Sequence, residues 1–328
     1  MDSHGERAQR SPTAHRVFIV TLNWNGWRDT LECLRSARKL TGYGFTIVVV
    51  DNASAGDDVA ILRREAGDYC HIIENDRNYG FAEGNNIGIR WALQQGADFV
   101  LLVNNDAVVE TEAVLRLVQQ ASLDRSIGLA SPKVYACDDP RRLTYPRIVH
   151  EWSPMWLFHI GSIGFLNFWY DWRTGGVRDV SIIDGMCMLI KREVLLQCGL
   201  FDPIYFFGGI EGFDLSCRAR SAGFRQVVVR NLAIKHKGSR SLGTRKQASL
   251  FLAYWYIRGR VIFAREKLNL LHQGLFLLLL PFHILFWVAG FGRHVKGLSV
   301  LTAIGKGLWD GLWAKDRTPW AKAENAGS

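Results

Sequence analysis

Short blocks of β-branched and aliphatic residues recur along this chain with helix-length stretches between them. That alternation restricts the fold more than any other feature of the sequence. The strand-like runs are 17–24, 45–52, 70–75, 99–104, 127–135, 181–190 and 226–234. Several are unbroken Val/Ile/Leu blocks, the pattern of strands covered on both faces. Helical stretches at about 27–40, 57–66, 82–95, 111–122 and 211–222 lie between them. The alternation predicts an α/β fold with a mostly parallel sheet and flanking helices. In such a sheet ligands bind beyond the carboxyl ends of the strands. Two acidic segments stand at such ends, Asp51-Asn52-Ala53-Ser54 and Asn104-Asn105-Asp106, and both are predicted to share one sheet edge.

With 328 residues, 48% of them apolar, the chain suffices for one large domain, or one domain with an appendage. Its net charge of +9 suits a polyanionic partner such as a diphosphate, an anionic lipid headgroup or nucleic acid. The six cysteines (Cys33, Cys70, Cys137, Cys187, Cys198, Cys217) are scattered, with no Cys-x-x-Cys. That spacing argues against a zinc site and a disulfide scaffold, and fits a reducing compartment. Residues 1–15 are polar, without an apolar core, and read as a disordered tail rather than a signal peptide.

The polar groups at the strand ends suggest a phosphate-bearing ligand. Asp106 closes the run Phe99-Val100-Leu101-Leu102-Val103, where one carboxylate can hold a hard divalent cation against a diphosphate. Thr21 and Asn23, ending the first run, suit a nucleobase or ribose, although Asn25 suits a helix cap equally well. Asp51 suits a base N–H or ribose hydroxyl; an Asx-turn made with its own backbone is the competing use. The segment Asn75-Asp76-Arg77-Asn78-Tyr79-Gly80-Phe81-Ala82-Glu83-Gly84-Asn85-Asn86 follows a strand and opens a helix. Its glycines and amides suit close approach of backbone N–H groups to phosphate, with Arg77 adding charge. An Asn/Gly turn with Asn78 left-handed is the alternative. The segment matches neither Gly-x-Gly-x-x-Gly nor a Walker A loop, which disfavours a dehydrogenase or an ATPase.

Taken in order, Val-Asp-Asn-Ala-Ser (50–54), Asn-Tyr-Gly-Phe-Ala-Glu-Gly-Asn-Asn (78–86) and Leu-Val-Asn-Asn-Asp (102–106) resemble a family 2 glycosyltransferase of the GT-A fold, most closely its bacterial rhamnosyltransferase-like branch. The likeness continues through residues 184–193, Phe201-Asp202, Glu211 to Arg220 and His236-Lys237-Gly238-Ser239, with an aromatic-arginine segment at 254–265. It implies a GT-A domain at 16–240, following the tail at 1–15, and an inverting transfer from a nucleotide-diphospho-sugar, dTDP- or UDP-linked. The nucleotide-sugar residues it implies are Thr21, Asn23, Asp51, Asn52, Arg77, Asn78, Gly80, Gly84, Asn85 and Asn105. Asp106 matches the last acid of the family's metal-binding Asp-x-Asp, and His236 its late histidine, with Mg²⁺ or Mn²⁺ as the ion. The departure is Gly212, which stands where the family's usual general base is an acid. Glu211, Asp214 and Asp184 are the remaining candidates, and Asp214 is equally suited to a pairing with Arg218 one helical turn on. A catalytically inactive nucleotide-sugar or lipid-linked glycan binding protein is the alternative. No nucleic-acid-binding motif accompanies the positive charge.

Residues 241–328 change in character. After the arginines comes an apolar run at 275–291, broken by Pro281 and His283 and short of the roughly 20 residues that cross a bilayer. In the last stretch Ile304, Leu308 and Leu312 share a helical face beside Trp309 and Trp313, as in an interfacial amphipathic helix. Membrane-associated C-terminal helices are expected, peripheral or shallowly inserted at the cytoplasmic face of the inner or plasma membrane. A polyprenyl-diphosphate-linked saccharide is the implied acceptor. A buried helical hairpin is the alternative for this region. The aromatic-rich segment 150–172 suits either an acceptor-side loop or a small aromatic core.

Overall fold

The computed structural model describes residues 15–139, 141–145, 176–207, 209–238, 245–291 and 297–315, with Val295 and Thr318. Residues 1–14 of the tail expected at 1–15, the aromatic segment 150–172 and Ser239 lie outside the described residues.

The first half follows the predicted alternation. β1 (Val17–Asn23), β2 (Thr46–Asp51), β3 (Cys70–Glu74) and β4 (Phe99–Val103) are joined by α1 (Trp27–Ala37), α2 (Asp58–Ala66) and α3 (Gly80–Gln94). These four strands are parallel, in the order β3-β2-β1-β4. The apolar residues of β1, β2 and β4 are almost wholly buried, as continuous apolar strands require, whereas those of the edge strand β3 are only half-buried. β1 pairs with β2 so that Asn23 lies opposite Asp51, and Asn75 N–H donates to the Asp51 carbonyl one strand further out. The acidic strand ends therefore line up along one carboxyl edge, as predicted.

Beyond β4 the sheet becomes mixed. β5 (Ala107–Val108) and α4 (Thr111–Leu123) lead to β6 (Ile127–Ala136) and β7 (Leu143–Tyr145), and β8 (Val177–Asp179) precedes β9 (Cys187–Lys191). α5 (Arg192–Cys198), α6 (Ile210–Ser221) and β10 (Arg225–His236) complete the domain. β9 inserts between β4 and β6, antiparallel to both, while β10 runs parallel to β6. The strand expected at 181–190 forms only from Cys187. Ile182 and Ile183 are buried in a loop instead, where the Tyr145 hydroxyl donates to the Ile182 carbonyl and Ile183 N–H donates to Ser216 Oγ. Those loop bonds replace the strand ladder for this stretch.

Three helices follow: α7 (Arg245–Lys267), α8 (Leu270–Phe291) and α9 (Gly297–Trp313). A second apolar core joins them to the first domain, packing Ile182, Ile204, Tyr205, Ile210 and Phe213 against Ile257, Val261, Phe276, Trp287 and Ile304. The helix face predicted for α9 needs correction. Ile304 packs inward with Val300, but Leu312, Trp309 and Trp313 point outward beside Leu298 and Leu301. The reason lies in Gly307 and Gly311. A Cβ on Gly307 would lie 2.6 Å from the Tyr254 carbonyl oxygen, and one on Gly311 2.9 Å from Val261 Cβ. The helix therefore meets α7 through backbone rather than through its large side chains.

Candidate active site

Asn52 is the centre of the loop framework at the carboxyl edge. Its Nδ2 donates to Asn78 Oδ1 at 2.7 Å and to the Gly80 carbonyl, and its Oδ1 accepts from Asn75 Nδ2 and Tyr79 N–H. Asp51 accepts from Asn23 Nδ2 at 2.7 Å and from both the hydroxyl and the N–H of Ser54. That is the Asx-turn geometry weighed against a ligand role. Asn23 is fully buried, and its Oδ1 accepts from the Thr30 hydroxyl at 2.6 Å. Asn25 does not cap α1; its Oδ1 accepts from Ala55 N–H and ties the two loops together. The described polar atoms of this layer thus bond chiefly to one another.

Other expected donor-binding residues divide by position. Asn78, Gly80, Asn85 and Asn105 line an open cleft, as does Asn52. Asn105 Nδ2 donates to Thr30 Oγ1, and Asn85 Nδ2 to the Phe81 carbonyl. Gly84 packs on Leu22, where an added Cβ would come within 2.7 Å of Cδ1. Thr21 is buried beneath the loops, and Arg77 lies on the surface paired with Asp76. Neither lines the cleft. The left-handed residue is Gly80 (φ +74°), not Asn78.

The predicted phosphate contact at the start of α3 also needs correction. Phe81 N–H donates to the Phe206 carbonyl at 2.6 Å, with Ala82 N–H at 3.3 Å from the same oxygen. Phe206 itself has φ +57°, a strained conformation for an aromatic residue. Its carbonyl occupies the anion position at the helix start.

Asp106 and His236 do meet. Asp106 Oδ1 lies 2.9 Å from His236 Nε2, and the Asn104 amide nitrogen lies 3.1 Å from that same Nε2. The contact depends on the short antiparallel pairing of β5 with β10, which sets His236 opposite Ala107. Lys237 N–H then donates to the Asp106 carbonyl, while its ammonium pairs with Asp29 and Glu32. Asp106 lines the cleft. Cys33 Sγ lies 3.7 Å from the Asn104 carbonyl; burial, with the Asp106 charge, pushes its thiol up to about 12 and removes it as a thiolate ligand. Among the described residues no group of three or more His, Cys, Asp or Glu side chains forms a metal-holding cluster. One carboxylate on the cleft wall, with an imidazole 2.9 Å from it, nevertheless fits a hard cation that takes its remaining ligands from diphosphate and water.

The acidic candidates on α6 separate sharply. Asp214 is fully buried, bonded to Arg218 at 2.7 Å and paired with Lys267 at 3.0 Å. Arg218 also donates to the Cys198 and Leu200 carbonyls, so Asp214 anchors a structural knot. Glu211 differs. It is buried, and among the described residues no side chain hydrogen-bonds either carboxylate oxygen; only backbone N–H groups at the start of α6 lie near it. Burial raises its pKa to about 7, against the pull of nearby backbone N–H groups, and Asp184 adds to the rise. Glu211 is not among the residues that line the cleft. At Gly212 an added Cβ would lie 2.8 Å from the Ile183 carbonyl oxygen. The helix face carrying that position is closed by the 183–185 backbone and has no room for a side chain there.

Residues 17–195 match the family described as Glycosyl transferase family 2. The chain belongs to this family. It is similar to the low-salt glycan biosynthesis hexosyltransferase Agl10 of Haloferax volcanii, 30% identical over 209 residues, or 62% of this chain and 61% of the relative. It is also similar to the galactofuranosyltransferase GlfT1 of Mycobacterium tuberculosis, 34% identical over 119 residues, or 36% and 38% of the two chains. The chain thus spans less than two thirds of the length of either relative. Among solved structures it resembles the mannosyltransferase PcManGT from Pyrobaculum calidifontis in complex with GDP-Man and Mn²⁺. That match has a TM-score of 0.52 at 17% identity, covering 97% of this chain and 81% of the other. The likeness is one of fold, and the fold is GT-A.

In this family 2 chain the cleft has an aromatic wall that sequence reasoning missed. Phe206, Phe207 and Phe251 line it together with Trp24, Asn105 and Asp106. Phe206 stacks on Trp255 with ring centroids 4.3 Å apart, and Phe207 meets Phe251 edge-on at 5.3 Å. The signal was the density of aromatics at 251–256, just ahead of the arginines; nothing local tied it to Phe206.

Proposed function

We propose that the protein is a metal-dependent, inverting glycosyltransferase. It moves rhamnose or a hexose from a dTDP- or UDP-linked donor to a lipid-linked saccharide. The observation that carries this reading is the Asp106–His236 pair at the carboxyl edge of a GT-A sheet, in which Asp106 lines the cleft. Asp106 and His236 would hold Mg²⁺ or Mn²⁺, which supplies Lewis acidity to the departing diphosphate. Asn78, Asn85, Asn105 and Trp24 face the nucleotide-sugar from the cleft wall. Thr21, Asn23 and Asp51 act beneath them as a frame, because their polar groups are buried or bonded to neighbouring loops, and Asn52, which also lines the cleft, ties that frame to the Asn78 loop. That is a more indirect role than their motif positions suggested.

Glu211 serves as general base. Its carboxylate accepts the acceptor hydroxyl's proton as that oxygen bonds to the anomeric carbon and the bond to the diphosphate breaks. A raised pKa near 7 suits a base at neutral pH. Asp214 is excluded from the step by its two cationic partners. Asp184, close enough to raise the Glu211 pKa, is the remaining second acid.

The acceptor is assigned to a membrane surface. Leu270–Ala289 is long and apolar enough to cross a membrane, and only 12% of that window is buried. Leu277, Leu278, Phe282 and Leu285 are exposed on α8, and Leu298, Leu301, Trp309, Leu312 and Trp313 on α9. The opposite face of α8 packs through Phe276 and Trp287 into the core shared with α6 and α7. That packing favours shallow insertion at the cytoplasmic face over an independent span, and a polyprenyl-diphosphate-linked saccharide is the acceptor such a position serves. The test is transfer from labelled nucleotide-sugars to lipid extract with Mn²⁺. Asp106→Ala and His236→Ala should each abolish metal-dependent turnover, and full activity in either removes that residue from the metal site. The competing reading, a binding protein without turnover, rests on Gly212; it predicts donor binding with no product under any acceptor.

A further inference from the structure

Asp106 and His236 come from segments far apart in sequence, and the β5–β10 pairing that brings them together joins only Val108 to Lys235 and Ala107 to His236. So short a ladder leaves much of the alignment to other contacts. Helix α1 supplies them. Thr30, Cys33 and Ser36 recur at three-residue spacing, which sets them along one strip of the helix. Asn105 Nδ2 donates to Thr30 Oγ1 at 2.9 Å, Cys33 Sγ lies 3.7 Å from the Asn104 carbonyl oxygen, and Val109 N–H donates to Ser36 Oγ at 2.9 Å. The segment carrying Asp106 is therefore held on both sides of that residue. Asp29 and Glu32, each one position earlier, form the adjacent strip. The Lys237 ammonium lies 2.7 Å from Asp29 Oδ1 and 2.6 Å from Glu32 Oε2. Lys237 directly follows His236, and its own N–H donates to the Asp106 carbonyl at 3.0 Å. One helix thus grips both ligand-bearing segments.

We propose that Lys237 is a positioning residue for the cation site: anchored by Asp29 and Glu32, it makes α1 the clip that keeps His236 and Asp106 in reach of one ion. This inference rests on the reading of Asp106 and His236 as cation ligands. The Lys237 side chain is 13% exposed and that of Asp29 19%. An ion pair so enclosed adds little net stability, because desolvation offsets the attraction. Its short, charge-assisted hydrogen bonds fix geometry instead. The acids also have an electrostatic part. An ammonium one residue from a cation ligand repels the incoming ion, and two carboxylates turn the triad into a group of net negative charge. Position and charge therefore make opposite predictions for the loss of Lys237. Without the anchor His236 drifts from Asp106 and the ion binds less well; by charge alone, removing a cation tightens the site.

The test is Mn²⁺ binding to the full-length protein with UDP or dTDP, read by electron paramagnetic resonance, with thermal melts confirming folding. It compares wild type with Lys237→Met, the double variant Asp29→Asn/Glu32→Gln, the triple variant that combines them, Asp106→Ala and His236→Ala. Lys237→Met should weaken Mn²⁺ binding by about tenfold or more, the usual effect of losing a partner behind a metal ligand, and should diminish the nitrogen coupling from His236. Unchanged or tighter binding with the coupling intact overturns the proposal. The double variant should also bind Mn²⁺ about tenfold or more weakly, again with diminished coupling. Weaker binding there with wild-type coupling reduces the acids to a charge effect and overturns the anchor. The loss in the triple variant should fall well short of the product of the two separate losses, because both break one link; a full product overturns the pairing. If Lys237→Met does not fold, the double variant decides: diminished coupling supports the proposal and intact coupling overturns it. If Asp106→Ala and His236→Ala bind Mn²⁺ like wild type, the metal reading falls and the inference with it. If those two lose the ion while Lys237→Met keeps wild-type affinity, the positioning role alone falls.

Discussion

The loop layer around Asn52 and the α6 turn around Glu211 are both buried and polar, yet they follow opposite rules. In the first, Asn23, Asp51, Asn52, Asn75 and Asn78 are bonded to one another or to backbone, so burial carries little penalty. In the second, a carboxylate is buried without a side-chain partner among the described residues, near only the backbone N–H groups of its own helix start. A satisfied polar layer fixes backbone shape, whereas an unsatisfied charge is kept ready for a reaction at the expense of stability. Asp214, two ion pairs deep on the same helix as Glu211, shows that the sequence can satisfy an acid at this depth.

Experiments that break this contrast follow in order of expected effect. Glu211→Gln should slow turnover by roughly 10²- to 10⁴-fold while leaving donor affinity unchanged, since it removes proton acceptance and little volume. Steady-state kinetics beside donor titration would show it; an unchanged rate returns the role to Asp184. Asn52→Ala should lower unfolding stability by about 2–4 kcal/mol, because several buried partners lose their bonds at once. Denaturant melts would measure that, and a loss within about 0.5 kcal/mol would show that the layer is not a frame.

A finer test uses pH. The folded Glu211 pKa, near 7, lies above its ordinary 4.5, so the folded state favours the protonated acid. The stability it contributes is fully present below about pH 4.5 and is lost as pH rises through 7, on the order of 3 kcal/mol in all. Glu211→Gln should flatten that part of the profile and be the more stable protein at pH 8. Parallel profiles across that window would contradict the raised pKa. The smallest effect is expected on the membrane face. Trp309→Glu with Leu301→Glu should weaken binding to anionic vesicles by about tenfold or more, whereas changes at buried Ile304 should act on folding instead. Equal vesicle affinity in the double variant would remove α9 from the interface.

How much of this was legible in the sequence depends on how far apart the interacting residues lie. β1 to β4 announce themselves as unbroken apolar blocks, and Asp51 and Asp106 at their ends follow from strand polarity. β9 reads as another such block, but nothing local states that it inserts antiparallel between β4 and β6. The Asp106–His236 contact came from the likeness to a family, because it depends on the pairing of β10 with the two-residue strand β5. The α9 face was misread for a simple reason: amphipathicity weighs large side chains, and this helix packs through Gly307 and Gly311. Phe206 was invisible, since its carbonyl contact with α3, its strained backbone angle and its ring's place beside Trp255 all depend on residues far away in sequence.

The central claim is that Asp106 and His236 together hold a divalent cation at the cleft. Electron paramagnetic resonance of Mn²⁺ titrated into the full-length protein with UDP or dTDP tests it directly. Wild type should bind one ion with a nitrogen coupling from His236, His236→Ala should lose that coupling, and Asp106→Ala should lose the bound signal. An unchanged Mn²⁺ spectrum and affinity in both variants would contradict the account.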